Sequence, residues 1–174
     1  MRIIGGRFRR RLLGFPDSAG LRPTPDRVRE TLFNWLGQDL SGWRCLDLFA
    51  GSGALGFEAA SRGAARVVMI ERDRTALAAL QKSKQDLGAD AVEVLHADAP
   101  AWLGHNRDPF DLVFVDPPFD SDLAEPVLAA IAPHLAPGGQ VYVEQGREVT
   151  PPPGFIIHRS GRAGRSHFAL LNKE

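Results

Sequence analysis

Asp47-Leu48-Phe49-Ala50-Gly51-Ser52-Gly53-Ala54-Leu55-Gly56-Phe57-Glu58 is the stretch that decides the fold. Gly51, Gly53 and Gly56 stand in the spacing G-x-G-x-x-G. They join an apolar run, Arg44–Phe49, to a helical segment, Ala54–Arg62, that stops at Gly63. Glycines at such a joint remove side chains, so a ligand can lie against the backbone and the helix N-terminus. Glu71 ends the next apolar run, Arg66–Glu71. An acidic residue at that distance from the first glycine can accept both hydroxyls of a ribose. More than one class of nucleoside-cofactor enzyme carries these features, so they indicate a nucleoside without saying which.

Outward from this unit the pattern repeats. Apolar runs at Val92–His96, Leu112–Asp116 and Gln140–Glu144 alternate with helical periods at Arg74–Leu87 and Leu123–Leu135. Continuous rather than alternating hydrophobicity fits strands buried on both faces. The series predicts an α/β fold of βαβ units, with a mostly parallel, seven-stranded sheet. Its last two strands, Phe155–Arg159 and Ser166–Leu171, read as a terminal antiparallel hairpin around the Gly-containing turn Ser160–Gly164. Upstream, Thr24 is a good N-cap and Pro25 a good first-turn residue for a helix over 24–37, with Val28, Leu32, Trp35 and Leu36 in one stripe. Residues 1–23 are rich in Gly, Arg and Pro and read as an extended basic arm, with a short hairpin around Ile3–Leu13. The expected organisation is one domain over 1–174: arm 1–23, helix 24–37 and core 44–174.

Composition bounds the rest. The 174 residues, 44% hydrophobic and 24% charged, suit one domain with one core. No apolar run reaches the roughly 18 residues of a membrane span, and no membrane partner is expected. The single cysteine, Cys45, leaves no disulfide framework, and the five histidines lack ligand spacing, so no metal is expected. A cytoplasmic, monomeric protein is the expectation. The net charge of zero hides an asymmetry: +5 over residues 1–30, −8 over 31–157 and +3 over 158–174. Arg7, Arg9, Arg10 and Arg11 crowd into five positions. They repel one another unless something anionic is near, which points to nucleic acid.

Asp116-Pro117-Pro118-Phe119 follows a strand directly, at the carboxyl edge where open α/β sheets bind ligands. Two prolines donate no N–H and fix φ, which stiffens the loop and leaves its carbonyls as acceptors. A carboxylate beside a fixed carbonyl is a two-acceptor clamp suited to an –NH2 group, which has two donors. Phe119 offers a face on which a base can stack.

These residues carry a resemblance. Asp116–Phe119 resembles the [Asn/Asp]-Pro-Pro-[Tyr/Phe] motif of amino-group methyltransferases, and Asp47–Gly53 resembles their cofactor motif. With Arg2–Gly6, the specific segment Gly20–Leu36, Phe49–Gly56, Val113–Phe119 and Val141–Glu144, the chain is similar over nearly its whole length to the RsmD family of 16S ribosomal RNA guanine-N2 methyltransferases. Residues 145–165 match it least.

The resemblance implies a Rossmann-like class I methyltransferase fold, S-adenosyl-L-methionine as cofactor, and ribosomal RNA as partner within the small subunit or an assembly intermediate. The target implied is guanine 966 in the usual 16S numbering. It places Arg22, Thr24, Asp47, Phe49, Gly51, Gly53, Glu71, Asp98 and Asp116 at the cofactor, Glu71 on the ribose and Asp98 on the adenine amino group or as a helix N-cap. Asp116, Pro117, Pro118 and Phe119 fall at the reacting nitrogen, and Arg7, Arg9, Arg10 and Arg11 on RNA. Methylation of DNA adenine or cytosine, or of another RNA, is the alternative within the motif. A nicotinamide oxidoreductase lacks room for a substrate domain, and a non-enzymatic RNA-binding module has no use for an intact clamp.

Overall fold

The computed structural model describes residues 1–14 and 24–174. Seven strands form one sheet: β1 (Arg44–Asp47), β2 (Arg66–Glu71), β3 (Val92–His96), β4 (Phe110–Val115), β5 (Leu135–Gln145), β6 (Phe155–Ala163) and β7 (Ser166–Lys173). Their order is β3-β2-β1-β4-β5-β7-β6. Strands β1 to β5 pair in parallel, and β7 pairs antiparallel with both β5 and β6. The expected mostly parallel sheet with its terminal hairpin is the one observed.

Apolar side chains cover both faces of the sheet. Along β4, Leu112 and Phe114 join one core, and Val113 and Val115 join the other. The first core takes α1 (Asp26–Leu36), α2 (Ala54–Ser61) and α3 (Arg74–Leu87) through Phe33, Phe57 and Leu80. The second takes α4 (Ala99–His105) and α5 (Ala124–Ala129) through Leu103, Val127 and Leu128. Strands buried on both faces need no polar alternation, which is why they read as continuous apolar runs. Cys45, at the centre of β1, is fully buried, and burial pushes its thiol well above the usual range.

Several boundaries differ from the sequence reading. The helix expected over Leu123–Leu135 lasts only six residues. Pro133 cannot continue it, and a 3-10 turn, Ala132–His134, leads into β5 five residues earlier than expected. The early part of β5 is bulged: Phe110 pairs with Leu135, but Leu112 pairs with Gln140. Gly138, at φ +77°, and Gly139 absorb the excess, since a Cβ on Gly139 would sit 2.9 Å from the Phe110 carbonyl oxygen. Helix α4 follows Asp98, as the N-cap reading of that residue expects, although no helical period marked its range. The β6–β7 turn is tighter than Ser160–Gly164, because Ala163 already pairs with Ser166 and only Gly164 and Arg165 lie between.

Residues 1–14 of the arm hold the short hairpin expected around Ile3–Leu13, and residues 15–23 lie outside the described residues. Arg2 bridges Leu12, and Ile3, Phe8 and Leu13 belong to the first core, whereas Leu12 is exposed. Its anchor is polar. The carboxylate of Glu58, fully buried on α2, accepts from the Ile4 and Gly5 N–H groups at 2.9 and 3.0 Å, and pairs with Arg29 and Arg62 at 3.2 and 2.9 Å. Arg29 in turn donates to the Arg2 carbonyl. Gly6, at φ +77°, lies so close to α2 that a Cβ would meet the Ser61 carbonyl oxygen at 2.0 Å.

Breaking a buried ion pair from one side leaves the other charge uncompensated, at a cost of about 3–5 kcal/mol. Glu58→Ala takes the carboxylate from Arg62 and from two backbone donors, while Arg29 keeps Asp26 and the Arg2 carbonyl. It is therefore expected to lower unfolding free energy by at least that range, read from urea titration. A loss below about 1 kcal/mol would show that the arm and α1 hold without this anchor.

Candidate active site

Five acidic residues converge on the carboxyl edge of the sheet: Asp47 ends β1, Glu71 ends β2, Asp98 follows β3, Asp116 follows β4 and Glu144 lies near the end of β5. All five line one cleft of about 860 Å3. That lies within the roughly 300–1,000 Å3 range of small-molecule sites. The cleft opens beside β1, where the crossovers switch faces.

Its first half is built from the glycine turn. The Glu71 carboxylate is held by two backbone donors, Gly51 N–H at 2.9 Å and Asp73 N–H at 2.8 Å. This fixes its orientation at the cleft wall. Asp47 is buried; one oxygen accepts from Gly56 N–H at 3.2 Å, and the other, Oδ1, has no hydrogen-bond partner among the described residues. Burial raises Asp47 to about 7, against the pull of the Gly56 N–H. A buried unpaired acceptor is costly, so the site suits a ligand that brings donors or positive charge. Asp98 caps α4 by accepting from Ala101 N–H at 3.2 Å while facing the cleft. Phe49 lies half-buried on the wall.

Packing requires two of the three glycines, whatever else they do. A Cβ on Gly53 would sit 2.5 Å from the Phe57 ring, and one on Gly56 would sit 2.4 Å from Met69 Cε. Gly53 also takes φ +84°, where a side chain is strained. The turn thus draws α2 onto the sheet closely enough for Gly56 N–H to reach Asp47.

The second half is an acid pair joined by hydroxyls. Thr24 was expected to cap α1. Pro25 takes that position without a side-chain hydrogen bond, and the Thr24 hydroxyl lies 3.0 Å from Asp116 Oδ2 and 3.4 Å from Glu144 Oε2. Glu144 also accepts from Tyr142 at 3.2 Å and from Ser166 at 2.8 Å. Burial raises Asp116 well above the usual carboxylate range, and the Glu144 charge raises it further. Burial raises Glu144 too, while its three hydroxyl donors oppose the shift. None of Asp47, Asp116 and Glu144 makes an ion pair among the described residues. The sequence reading gave no role to Glu144, Tyr142 or Ser166. A glutamate at a strand end carries no local mark of the hydroxyls that will reach it.

The loop after β4 is partly as expected. The Pro118 carbonyl is consumed by Ser121, which donates from N and Oγ at 3.0 and 2.7 Å. The Pro117 carbonyl accepts nothing among the described residues. Phe119 borders the cleft with the Arg165 guanidinium 5.5 Å over its ring. Arg7, Arg9, Arg10 and Arg11 are exposed, but at the other end of the molecule. Arg7 N–H meets the Ser61 carbonyl at the end of α2, and Arg11 meets the Asp86 carbonyl near the end of α3. One length of α2, about 12 Å, separates that loop from the glycine turn. Arg22 lies outside the described residues.

The comparisons with known proteins agree with this geometry. A family model described as "Conserved hypothetical protein 95" matches residues 1–172. Ribosomal RNA small subunit methyltransferase D of Escherichia coli K12 is 44% identical over all of this chain and 90% of its own. The chain belongs to the RsmD family. The Haemophilus influenzae protein of the same name is 44% identical over 85% of this chain and 80% of its own. The solved structure of Escherichia coli yhhF superposes with a TM-score of 0.90, at 44% identity, covering all of this chain and 98% of that one. A precorrin methyltransferase from Geobacter metallireducens shares the fold alone, with a TM-score of 0.72 at 16% identity, covering 91% and 92% of the two chains. The Rossmann-like class I methyltransferase fold is therefore that of this family.

Charging Asp47 and Asp116 costs more in the folded chain than in the unfolded one. The folded state therefore retains protons that the unfolded state has released. Stability is highest near the ordinary carboxylate range and falls as pH rises through about 7, where Asp47 titrates. Asp116→Asn, which cannot ionise, is expected to raise Tm at neutral pH, by about 2–4 °C per kcal/mol relieved, and to flatten the fall. Thermal unfolding between about pH 5 and pH 8 measures this. An unchanged slope would show that Asp116 is not strained by its surroundings.

Proposed function

We propose that the chain transfers a methyl group from S-adenosyl-L-methionine to the exocyclic N2 of a guanine in small-subunit ribosomal RNA, guanine 966 in the usual 16S numbering. One observation supports this most: Asp116, with the open Pro117 carbonyl beside it, shares a cleft with the unpaired oxygen of Asp47. One half of the cleft thus suits an amino group and the other a donor-rich or cationic cofactor. The rRNA assignment rests on the names of the Escherichia coli and Haemophilus influenzae relatives.

When bound, S-adenosylmethionine supplies an electrophilic methyl group on a sulfonium. Glu71 would accept its ribose hydroxyls and Asp98 its adenine amino group. Gly51, Gly53, Phe49 and Thr24 would shape its bed. The acidic surroundings of Asp47, Asp116 and Glu144, which pair with no cation among the described residues, favour a positively charged ligand over its neutral product. Guanine N2 is a poor nucleophile because its lone pair is delocalised into the ring. Asp116 and the Pro117 carbonyl accept its two N–H groups and turn that lone pair toward the methyl carbon. Phe119 stacks the base, and Pro118 stiffens the loop through its contact with Ser121.

Radiolabelled cofactor offered with small ribosomal subunits, free rRNA, DNA and protein tests the reading. Label is expected in small-subunit rRNA as N2-methylguanine, and label found only in DNA or protein would overturn it. Asp116→Ala is expected to reduce transfer by at least the roughly 100-fold typical of a lost acid–base group. Calorimetric affinity for the cofactor should fall far less than transfer does, because the hydrogen-bonding partner of Asp116 is the base.

Arg7, Arg9, Arg10 and Arg11 would hold phosphates about a helix length from the target, with Arg165 nearest to it. Each neutralised phosphate contributes roughly one unit to the log–log salt slope. Changing the four arm arginines to Gln, with Ile3, Phe8 and Leu13 left in place, is expected to flatten the salt dependence of RNA binding by up to about four units. An unchanged slope would move the grip to Arg159, Arg162 and Arg165 of the hairpin.

A further inference from the structure

Glu144 enters the mechanism above only through its charge, and no proton is assigned to it. It stands at the junction of three elements, with Tyr142 on its own strand, Ser166 at the start of β7, and Thr24, which it shares with Asp116 just ahead of α1. A structural carboxylate buried to this degree is normally matched by a cation; the Glu58 site, with its two arginines, is an example in the same molecule. Among the described residues, Glu144 has hydroxyls alone. Hydroxyls both donate and accept, so a chain of them can pass a proton.

We propose that Glu144 is the terminal proton acceptor of the methyl transfer, reached from Asp116 through the Thr24 hydroxyl. The inference rests on the amino-group reading given above. As the nitrogen–carbon bond forms, the carbon–sulfur bond breaks and its electron pair stays on sulfur, leaving the positive charge on nitrogen. One N–H proton then passes to an Asp116 oxygen, and its bonding pair remains on nitrogen. The Asp116 O–H gives that proton to Thr24 Oγ while the Thr24 O–H gives its own to Glu144 Oε2. Asp116 is returned to the carboxylate, and Glu144 becomes the acid.

The distances of 3.0 and 3.4 Å place Thr24 between the two acceptors, and no other described side chain touches both. The hydroxyl donors on Glu144 outnumber the single one on Asp116, so Glu144 holds the relayed proton less tightly than Asp116 would and returns more readily to the carboxylate before the next turnover. The described groups facing the pair are Thr24 ahead of α1, Asp47 from β1, Tyr142 from β5 and Ser166 from β7, with the Arg165 guanidinium on the same cleft wall over Phe119 and in no ion pair with either acid. Glu144 acts through Asp116 and is a positioning residue.

The test compares wild type with Glu144→Gln, Thr24→Val and Thr24→Ser, in single-turnover transfer to small subunits across pH. Cofactor affinity is measured alongside. Glu144→Gln, which keeps the shape and an acceptor oxygen, is expected to slow transfer roughly 10- to 100-fold and to move the acid limb of the profile to lower pH, since a like charge beside Asp116 is gone. Thr24→Val should slow transfer to a similar degree, and Thr24→Ser should restore most of it. Wild-type rates in Glu144→Gln, or a slower rate with an unmoved acid limb and weakened cofactor binding, would reduce Glu144 to packing and overturn the proposal. Carboxyl 13C NMR of the free protein reads the same coupling without substrate. Asp116 is expected to titrate at lower pH in Glu144→Gln than in wild type, and an identical titration overturns the coupling. Transfer by wild type to some other amino-bearing substrate would overturn the rRNA reading alone, and the variant series would run unchanged on that substrate.

Discussion

Strand β1 has a parallel neighbour on each side, and the chain leaves it toward β2 over one face of the sheet but reaches β4 over the other. Connections of parallel strands have a fixed hand, so reversing the direction of winding must change the covered face. No helix can then cover the carboxyl end of β1 from both sides, and a cleft is left there. Every strand on either side points its carboxyl end at that gap. The placement of Asp47, Glu71, Asp98, Asp116 and Glu144 around one volume is thus a product of strand order, although these residues span almost a hundred positions of chain.

Two buried acidic systems show how differently the same residue type can be used. Glu58 is surrounded by Arg29, Arg62 and backbone donors, and it ties together elements far apart in sequence. Such an arrangement saturates the carboxylate and fixes position. Among the described residues, Asp47, Asp116 and Glu144 have no cation, and one oxygen of Asp47 has no hydrogen-bond partner. That incompleteness is a destabilising feature of the folded chain, and active sites are where proteins tolerate such features. It marks the cleft as the place where charge and donors are to be supplied from outside.

Much of this was legible in the sequence because both helices and buried strands write periodic patterns. The glycine turn, the strands at Arg66–Glu71 and Val92–His96, and the helix over Arg74–Leu87 were read at the observed bounds. The Asp116–Phe119 loop was legible because two prolines after an apolar run have few other uses. What failed depended on contacts distant in sequence. Thr24 resembles any N-cap until Asp116 and Glu144 compete for its hydroxyl. The helix beyond Ala129 yields to Pro133 and to the pairing of Leu135 with Phe110, and α4 is too short for its period to register. The hairpin around Ile3–Leu13 was legible but its anchor was not, because the glutamate that holds it lies more than fifty residues away. Gly53 and Gly56 were found for one reason and are needed for another, the close approach of α2 to Phe57 and Met69.

The solitary cysteine has a practical consequence. Cys45 is sealed inside the central strand with a thiol that burial holds in its unreactive form. The native chain is therefore silent to maleimides and similar reagents, with no residue to be removed first. A cysteine placed at Arg9 on the loop tip or at Arg165 on the hairpin becomes the only labelling point. Spin labels or fluorophores at those two places, alone or as a pair, can report distances across the molecule.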